Sequence, residues 1–316
     1  MHFTIITASY NYGQYIGECL ESVAMQLPTP KERRNVSADT DGSTLKDDAT
    51  RSSGKSSAEG DHASPLLDEL SSPSPHFTLE HLIMDACSKD DTAEVVARFP
   101  HAQFFQEPDK GMTDGINKGF RKAKGDWVMW LNADDRLKPG ALKKVMEFTE
   151  KHPDADVIYG GWDYIDGDGK FLRQMKSTPF DKRILVQQGC YIGSTACFYR
   201  HATTLAEGHL LDDQFGYCMD GEYYARLAHL GKRFMHMPGA ILADFRLHDE
   251  SISQSNLGKT DMDGILRLQR QLAEPRAIRR MYGYKPFKDE NLSLVVDGVL
   301  YHVYRLKKGL LRLLSR

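Results

Sequence analysis

Two adjacent carboxylates follow a strongly apolar run near the middle of the chain. The run Trp127-Val-Met-Trp-Leu131 is typical of a buried strand, and it ends in Asn132, Asp134 and Asp135. Hard divalent cations such as Mg²⁺ prefer oxygen ligands and are usually held by one or two carboxylates together with substrate phosphates. These residues therefore predict a site for a metal ion and a diphosphate. The alternative is an ordinary acidic turn, because Asp and Asn are common turn residues.

Elements that would position these residues recur along the first half of the chain. Predicted strands cover residues 3–7, 82–84, 103–105 and 127–131, and predicted helices cover 15–25, 92–99, 112–124 and 139–152. Alternation of strands and helices is typical of βαβ units, which build a mostly parallel sheet flanked by helices. We therefore predict an α/β fold.

Polar residues gather where these predicted strands end. Ser9 and Tyr10 follow the first strand, Asp85 follows the second, and the Asn132 to Asp135 cluster follows the fourth. Ligands of such sheets bind beyond the carboxyl ends of the strands, so a shared cleft is predicted. Strand ends are always more polar than strand middles, and this is the alternative explanation.

The segment 27–75 interrupts the pattern with Ser, Asp, Lys, Gly and Pro. It cannot bury enough apolar area to offset the entropy of ordering it, so we predict a disordered insertion. A tolerated surface insertion and a regulatory or partner-binding loop are both open interpretations. The predicted organisation is a domain over 1–255 that contains this insertion, followed by a helical, basic extension over 256–316.

The second half of the chain is less regular. Residues 162–171 predict a hairpin whose turn, Asp166-Gly-Asp-Gly169, lacks the terminal Glu of a calcium loop. Predicted strands at 195–199 and 234–237 flank a predicted helix at 223–230, and this half is expected to supply the substrate-specific walls.

The chain ends in a basic amphipathic pattern over residues 299–314, with Arg305, Lys307, Lys308 and Arg312 between apolar positions. Such a helix can lie on an anionic membrane surface, or it can pack against its own domain. Gly309 argues against one continuous helix, because Gly is a poor helix former.

Composition is compatible with an enzyme and excludes some other classes. The chain has 316 residues, a formal charge of −3 and five cysteines. A nucleic-acid binder would be more basic, and the dispersed cysteines do not predict a disulfide framework or a zinc site. Met1-His2-Phe3 runs straight into a predicted strand and no apolar stretch reaches membrane-spanning length, so we expect a cytoplasmic protein, on the inner face of the membrane if the tail binds lipid.

Four segments occur in the order seen in family 2 glycosyltransferases. They are TASYNYGQY at 7–15, IMDACSKDDT at 83–92, EPDKGMTDGINKG at 107–119 and GDWVMWLNADD at 125–135. The chain resembles a member of this family, with the Rossmann-like GT-A fold, from residue 3 to about 253 apart from the insertion. The resemblance implies inverting transfer of a hexose-type sugar from a nucleoside diphosphate sugar, most often a UDP-sugar. It also implies Mg²⁺ or Mn²⁺ as cofactor and a carbohydrate or lipid-linked sugar acceptor, in polysaccharide or glycolipid assembly.

The resemblance also implies a set of donor-binding residues. These are Ser9, Tyr10, Asp85, Asp109, Asp114, Asn117, Lys118, Asn132 and Asp134. Two of them have plain alternatives: Tyr10 as a packing residue, and Lys118 as the partner of an exposed ion pair with Asp114 four positions earlier. Ala86 stands where many members carry a second carboxylate or Gly, which weakens the preference for uracil.

The metal and the catalytic base follow from the same resemblance. Asp135 is expected to hold the metal first and Asp134 second, with His248 as a further ligand or a structural residue. Asp220 matches the family's base, which removes the acceptor's proton. Because Asp is also a favoured N-cap, a capping role for Asp220 is the alternative.

Two other functions remain open at this point. A sugar nucleotidyltransferase shares the sheet and the metal, but it needs a basic, Gly-rich loop after the first strand, and residues 8–13 contain no basic residue. A non-catalytic nucleotide-sugar-binding protein would keep the donor cleft without turnover.

Overall fold

The computed structural model describes residues 1–27, 77–248, 262–283 and 290–314. The strands in this part of the chain are β1 His2–Ser9, β2 Thr78–Asp85, β3 Ala102–Gln106, β4 Trp127–Trp130, β5 Arg136–Leu137, β6 Val157–Ile165, β7 Phe171–Met175, β8 Cys197–Arg200 and β9 Phe234–Arg246. The α-helices are α1 Gly13–Ala24, α2 Thr92–Val96, α3 Met112–Lys122, α4 Ala141–Lys151, α5 Lys182–Gln188, α6 Met219–His229, α7 Met262–Tyr282 and α8 Glu290–Leu314.

The strands form one sheet in the order β3-β2-β1-β4-β8-β6-β9-β5, with β7 paired to β6. Strands β1 to β4 run parallel, so their carboxyl ends meet at one edge. Strand β8 runs antiparallel to both β4 and β6, which makes the second half of the sheet mixed. The predicted α/β fold with a parallel amino-terminal half is confirmed.

The core explains why β4 is continuously apolar. All four of its residues are buried because helices cover both faces of the sheet. Trp130 stacks on Tyr199 of β8 with ring centroids 5.3 Å apart. Gly119 lets α3 lie directly on β1, since a Cβ at this position would sit 2.4 Å from a methyl carbon of Ile6.

Several elements of the second half differ from the sequence predictions. Strand β9 extends to Arg246 rather than 237, because Gly239 at φ +69° and register shifts opposite β6 absorb the Pro-Gly interruption. Helix α5 was not predicted; Asp181 caps it by accepting bonds from two backbone N–H groups. The strand predicted from 195 begins only at Cys197, after a short 3₁₀ turn. The hairpin at 162–171 is confirmed.

The tail forms helix α8, which continues through Gly309 although Gly disfavours a single continuous helix. One side of α8 packs against α5, which supplies enough tertiary contact to outweigh the weak propensity of a single Gly. No helix among the described residues has both the length and the apolar content needed to cross a bilayer. Apart from residue 27, the predicted insertion lies outside the described residues.

Candidate active site

A cavity of about 570 Å³ opens at the carboxyl ends of β1 and β4. Its walls combine the two halves of the chain and are formed by Ala8, Ser9, Tyr10, Tyr12, Asp109, Gly111, Met112, Asn132, Ala133, Asp134, Ser194, Gly216, Tyr217, Met219, Asp220 and Phe245. Six of these residues belong to the set singled out from the sequence. The predicted shared cleft therefore exists, with Asp134 and Asp220 in the same cavity.

The wall next to β1 offers groups suited to a nucleoside. Tyr10 is 55% exposed, so its ring is available for stacking and is not part of the core. The buried hydroxyl of Ser9 and the buried carbonyl oxygen of Asn132 find no hydrogen-bond partner among the described residues. Because buried polar atoms are nearly always paired, these two atoms are open to a bond with a ligand or with water.

Asp85 does not line the cavity, but it supports the loops that form this wall. Its carboxylate accepts bonds from the backbone N–H of Ser88 at 2.9 Å and from the amide of Gln106 at 3.1 Å. The Ser88 hydroxyl in turn accepts a bond from the backbone N–H of Asn11 at 2.8 Å. Asp85 thus fixes the loops that follow β1 and β2.

The two adjacent carboxylates are placed differently. Asp134 lines the cavity, and its Oδ2 lies 2.9 Å from Nε2 of His248. Asp135 is buried behind it and accepts 2.9 Å bonds from the backbone N–H of Arg246 and from the amide of Asn132. Burial and the neighbouring charge of Asp134 raise the pKa of Asp135 well above its ordinary value. The geometry presents Asp134 to a ligand, with Asp135 supporting it.

The side chain of Arg246 is fully buried beneath this pair. Its guanidinium donates to the carbonyl oxygens of Asp134 at 2.9 Å and Gly167 at 2.7 Å, and it pairs with Glu18 at 2.6 Å. These contacts hold the acidic loop in place. They also join the Arg246 guanidinium to Glu18 on α1 and to the hairpin turn.

The residues at this wall fit a divalent cation whose coordination shell is completed by the oxygens of a bound diphosphate. Asp134 contacts His248, and Asn132, whose side-chain oxygen has no partner among the described residues, lines the same cavity as Asp134; all three are common ligand types. No three His, Cys, Asp or Glu side chains within the described ranges converge into a complete metal cage. Mg²⁺ rarely requires one, because it keeps several waters and is usually bound through one or two carboxylates and substrate phosphates.

Three predicted donor residues on α3 lie outside the cavity. Lys118 is 3.9 Å from Asp114 and donates to the carbonyl of Pro108, so it forms the ion pair that was the alternative. Asn117 is buried and uses both ends of its amide to hold the backbone of Leu211 at 2.9 Å. The side of α3 that carries these residues anchors neighbouring loops. Asp109, just before the helix, does line the cavity.

Asp220 faces the cavity from the opposite half of the chain. Burial raises the pKa of this carboxyl to about 6, although the backbone N–H of Gly221 and the thiol of Cys190 act in the opposite direction. The Cys190 sulfur lies 3.9 Å from Asp220 Oδ2. A carboxylate with this pKa is ionised at neutral pH and is a stronger base than an exposed Asp.

Asp220 is not the cap of its helix. The N-cap of α6 is Cys218, and the backbone N–H groups of Gly216, Tyr217 and Cys218 are bound by Glu274 of α7. Asp220 lies in the first turn, where its Oδ1 accepts a 2.7 Å bond from the backbone N–H of Gly221, and it also lines the cavity. Arg226 pairs with Glu222 at 2.9 Å and anchors the same helix.

Sequence reasoning missed several of the cavity residues. They include Tyr12, Met112 and Tyr217, which lie beside the motifs. An aromatic or long apolar residue next to a polar motif is a usable signal for the wall of a sugar site, because ligand pockets are mostly lined by such side chains. Glu274 carried no comparable local signal.

Comparisons with known proteins agree with this architecture. The family model described as glycosyl transferase family 2 matches residues 66–204. An uncharacterized glycosyltransferase of Haemophilus influenzae is 32% identical over 96 residues, which cover 30% of this chain and 33% of that protein. The chondroitin synthase of Escherichia coli is 25% identical over 183 residues, which cover 57% of this chain and 26% of the synthase. The chain thus spans a third or less of these two relatives.

Among solved structures, S. aureus TarS 1-349 in complex with UDP-GlcNAc is similar with a TM-score of 0.55 at 17% identity, covering 94% of this chain and 79% of that chain. At this identity the likeness establishes the fold. Asp220 and His248 lie beyond the residues that the family model matches, so the assignment of Asp220 depends on the cavity lining and that of His248 on its contact with Asp134. The chain has the GT-A fold, and residues 66–204 of it match the model of glycosyl transferase family 2.

Proposed function

We propose that this protein is an inverting, metal-dependent glycosyltransferase that moves a sugar from a UDP-sugar to a hydroxyl acceptor. The observation that carries the proposal is that Asp134 and Asp220 line one cavity from opposite halves of the chain. A donor whose diphosphate lies against Asp134 would have its sugar between the two carboxylates. The family match over residues 66–204 and the UDP-GlcNAc complex of the TarS structure support the donor class.

The reaction needs a base on the acceptor side, and Asp220 is the proposed one. Its carboxylate takes the proton of the acceptor hydroxyl while the hydroxyl oxygen attacks the anomeric carbon. The bond from that carbon to the diphosphate oxygen breaks, and the electron pair leaves with the nucleoside diphosphate. A single displacement from the opposite side inverts the configuration at this carbon.

The donor side must hold and neutralise the diphosphate. Asp134 and His248, with the carbonyl oxygen of Asn132, are the residues proposed to hold Mg²⁺ or Mn²⁺, and the bound cation would stabilise the charge on the leaving group. Tyr10 is proposed to stack on the base and the hydroxyl of Ser9 to bond the nucleoside; the exposure of Tyr10 and the lack of a described partner for the Ser9 hydroxyl support these roles. Asp85 and Asp135 position these groups from behind.

The acceptor is proposed to be a carbohydrate or a lipid-linked sugar. The chondroitin synthase among the relatives supports a role in polysaccharide assembly. On the acceptor side, Tyr217 and Phe245 give the cavity aromatic surface, which suits the apolar faces of sugar rings.

A nucleotide-sugar panel tests this function. We expect nucleoside diphosphate to be released from a UDP-sugar, and the release to be faster with Mn²⁺ than after the metal is removed with a chelator. Without an acceptor, the sugar should be transferred slowly to water. Calorimetry with UDP provides the control for binding. UDP binding without release to water or to any tested acceptor would contradict the proposal and favour a binding protein.

A further inference from the structure

Helix α8 carries an apolar stripe that the rest of the described chain leaves exposed. Its members are between 51% and 76% exposed and comprise Val295, Val299, Val303, Leu306, Leu310 and Leu313. Successive members are three or four positions apart, so they lie along one side of the helix. We call this set the α8 stripe. A continuous apolar strip of this length on a surface indicates an interaction site.

The opposite side of α8 fixes the orientation of the helix. Lys308 donates to the side chain of Gln188 at 2.9 Å, and its ammonium lies 5.0 Å from the ring centre of Tyr191. Tyr304 and Leu311 pack against the core. Because these contacts occupy the inner side, the α8 stripe points outward.

The charges around the stripe indicate what would cover it. Arg305 and Arg312 are exposed, and no acidic residue occurs between Gly298 and Arg316. Lys307 is paired with Asp181 at the start of α5, so it is not counted among the cations available to a partner. A second copy packed in parallel on the stripe would bring like charges together, because the two acidic residues of α8, Glu290 and Asp297, both precede its basic part. An anionic surface complements both the apolar stripe and its cations.

We propose that α8 docks on an anionic lipid surface, with the α8 stripe at the boundary between headgroups and acyl chains and the cations on lipid phosphates. This proposal does not rest on the proposed catalytic function. It has a consequence for the site, because Tyr191 beneath Lys308 follows Cys190, which contacts Asp220. The docked helix would therefore adjoin the acceptor side of the cavity.

Vesicle sedimentation with the full chain tests the docking. We expect the protein to bind vesicles of phosphatidylcholine with phosphatidylglycerol and to remain in solution with phosphatidylcholine alone. High salt should release it, because exposed charges are screened. Arg305→Gln and Arg312→Gln should each lower the partition constant about fivefold, and Leu306→Gln with Leu310→Gln should lower it further. The matched control is Leu230→Gln with Leu272→Gln, which changes one exposed leucine just after α6 and one on α7.

Three outcomes would overturn this proposal. One is no binding to anionic vesicles, and another is equal binding to neutral vesicles without a salt effect. The third is a concentration-dependent dimer in sedimentation velocity that the Leu306 and Leu310 changes abolish, since a second copy would then cover the stripe.

A separate observation concerns Glu274 of α7, which is 7% exposed. Its Oε1 accepts a bond from the backbone N–H of Gly216 at 3.1 Å, and its Oε2 accepts bonds from those of Tyr217 at 2.9 Å and Cys218 at 2.6 Å. Three N–H groups and the amino-terminal end of α6 thus share one carboxylate, an arrangement that favours a negative charge. Gly216 and Tyr217 line the cavity, and Asp220 follows in the first turn of α6.

We infer that Glu274 is a positioning residue for the base helix, so that the carboxyl-terminal extension sets the geometry of the acceptor side. This inference rests on the proposed function for its kinetic consequence only. In Glu274→Gln one carboxylate oxygen becomes an NH₂ group, which cannot accept a bond from a backbone N–H, so at least one of the three bonds is lost. A shift of about 1 Å in a reacting group can cost about 10²-fold in rate, so we expect kcat to fall by about 10- to 100-fold.

The test combines kinetics with hydrogen exchange. Glu274→Gln should speed exchange of the amides at 216–218 and lower kcat, while UDP binding by calorimetry stays unchanged. Tyr282→Phe is the matched control, because it removes the other α7 to α6 bond, at 2.7 Å to Glu222, without touching the loop. Equal exchange in Glu274→Gln and the parent protein would overturn the inference even if no activity is found. Equal losses of kcat in Glu274→Gln and Tyr282→Phe would show that Glu274 contributes only to the packing of the helices and does not position the base.

Discussion

Asp220→Asn is expected to lower kcat by about 10²- to 10⁴-fold, which is the usual contribution of a general base. Asn keeps the size of the side chain and its bond with the backbone N–H of Gly221, but it cannot accept the acceptor's proton. UDP affinity should change little, since Asp220 faces the acceptor. The measurement is steady-state transfer together with UDP calorimetry and a thermal unfolding curve.

The control for this variant is Asp213→Asn, which changes an exposed carboxylate in the preceding loop. It should retain the parent kcat. If Asp220→Asn folds normally and transfers sugar at nearly the parent rate, Asp220 is not the base.

The same assignment predicts a pH profile. Because the pKa of Asp220 is raised to about 6 by burial, the reactive carboxylate is present above this pH and is lost as the pH falls through it. The acid limb of kcat/KM should therefore lie near pH 6 and should be absent in Asp220→Asn. A limb near pH 4 would indicate an ordinary, exposed carboxylate in this role.

Asp134→Asn should produce the other large effect. Stabilisation of a leaving diphosphate by a metal is worth several kcal/mol, so we expect kcat/KM to fall by about 10²- to 10³-fold. Mn²⁺ affinity in the presence of UDP should fall as well. Asp135→Asn should cost less, about 10- to 100-fold in metal affinity, because Asp135 acts through Asn132 and the Arg246 backbone.

The comparison of these two variants is informative because the sequence alone favoured Asp135 as the principal ligand. Manganese titrations of both proteins, with circular dichroism to verify folding, decide the order. A larger loss of Mn²⁺ affinity in Asp135→Asn than in Asp134→Asn would contradict the proposal that Asp134 is the principal metal ligand.

The parallel half of the fold was predictable because its physical signals are local. A run such as Trp127 to Leu131 is apolar on both faces, which only a strand covered by helices requires. The residues that end neighbouring parallel strands must meet at one edge, and this brought Ser9, Asn132 and Asp134 together in the prediction. Strands were predicted at 195–199 and 234–237, but the antiparallel pairing of β8 and the full length of β9 depend on distant partners that a short run does not reveal.

The site was also only partly predictable from local signals. Helical spacing placed Asp114, Asn117 and Lys118 on one side of α3, but spacing does not tell which way that side points. Asn117 is turned to the backbone of Leu211, 94 positions away, and Lys118 to its own helix. Glu274 reaches a loop 56 to 58 residues earlier, a relation that no local pattern records.

A crystal structure of the protein with UDP and Mn²⁺ is the most direct test of the central claim that Asp134 and Asp220 serve one reaction. We predict the uracil at Tyr10, the manganese on Asp134, and the terminal phosphate directed toward Asp220 across the remaining space of the cavity. UDP bound outside this cavity, or manganese bound without Asp134, would contradict the account.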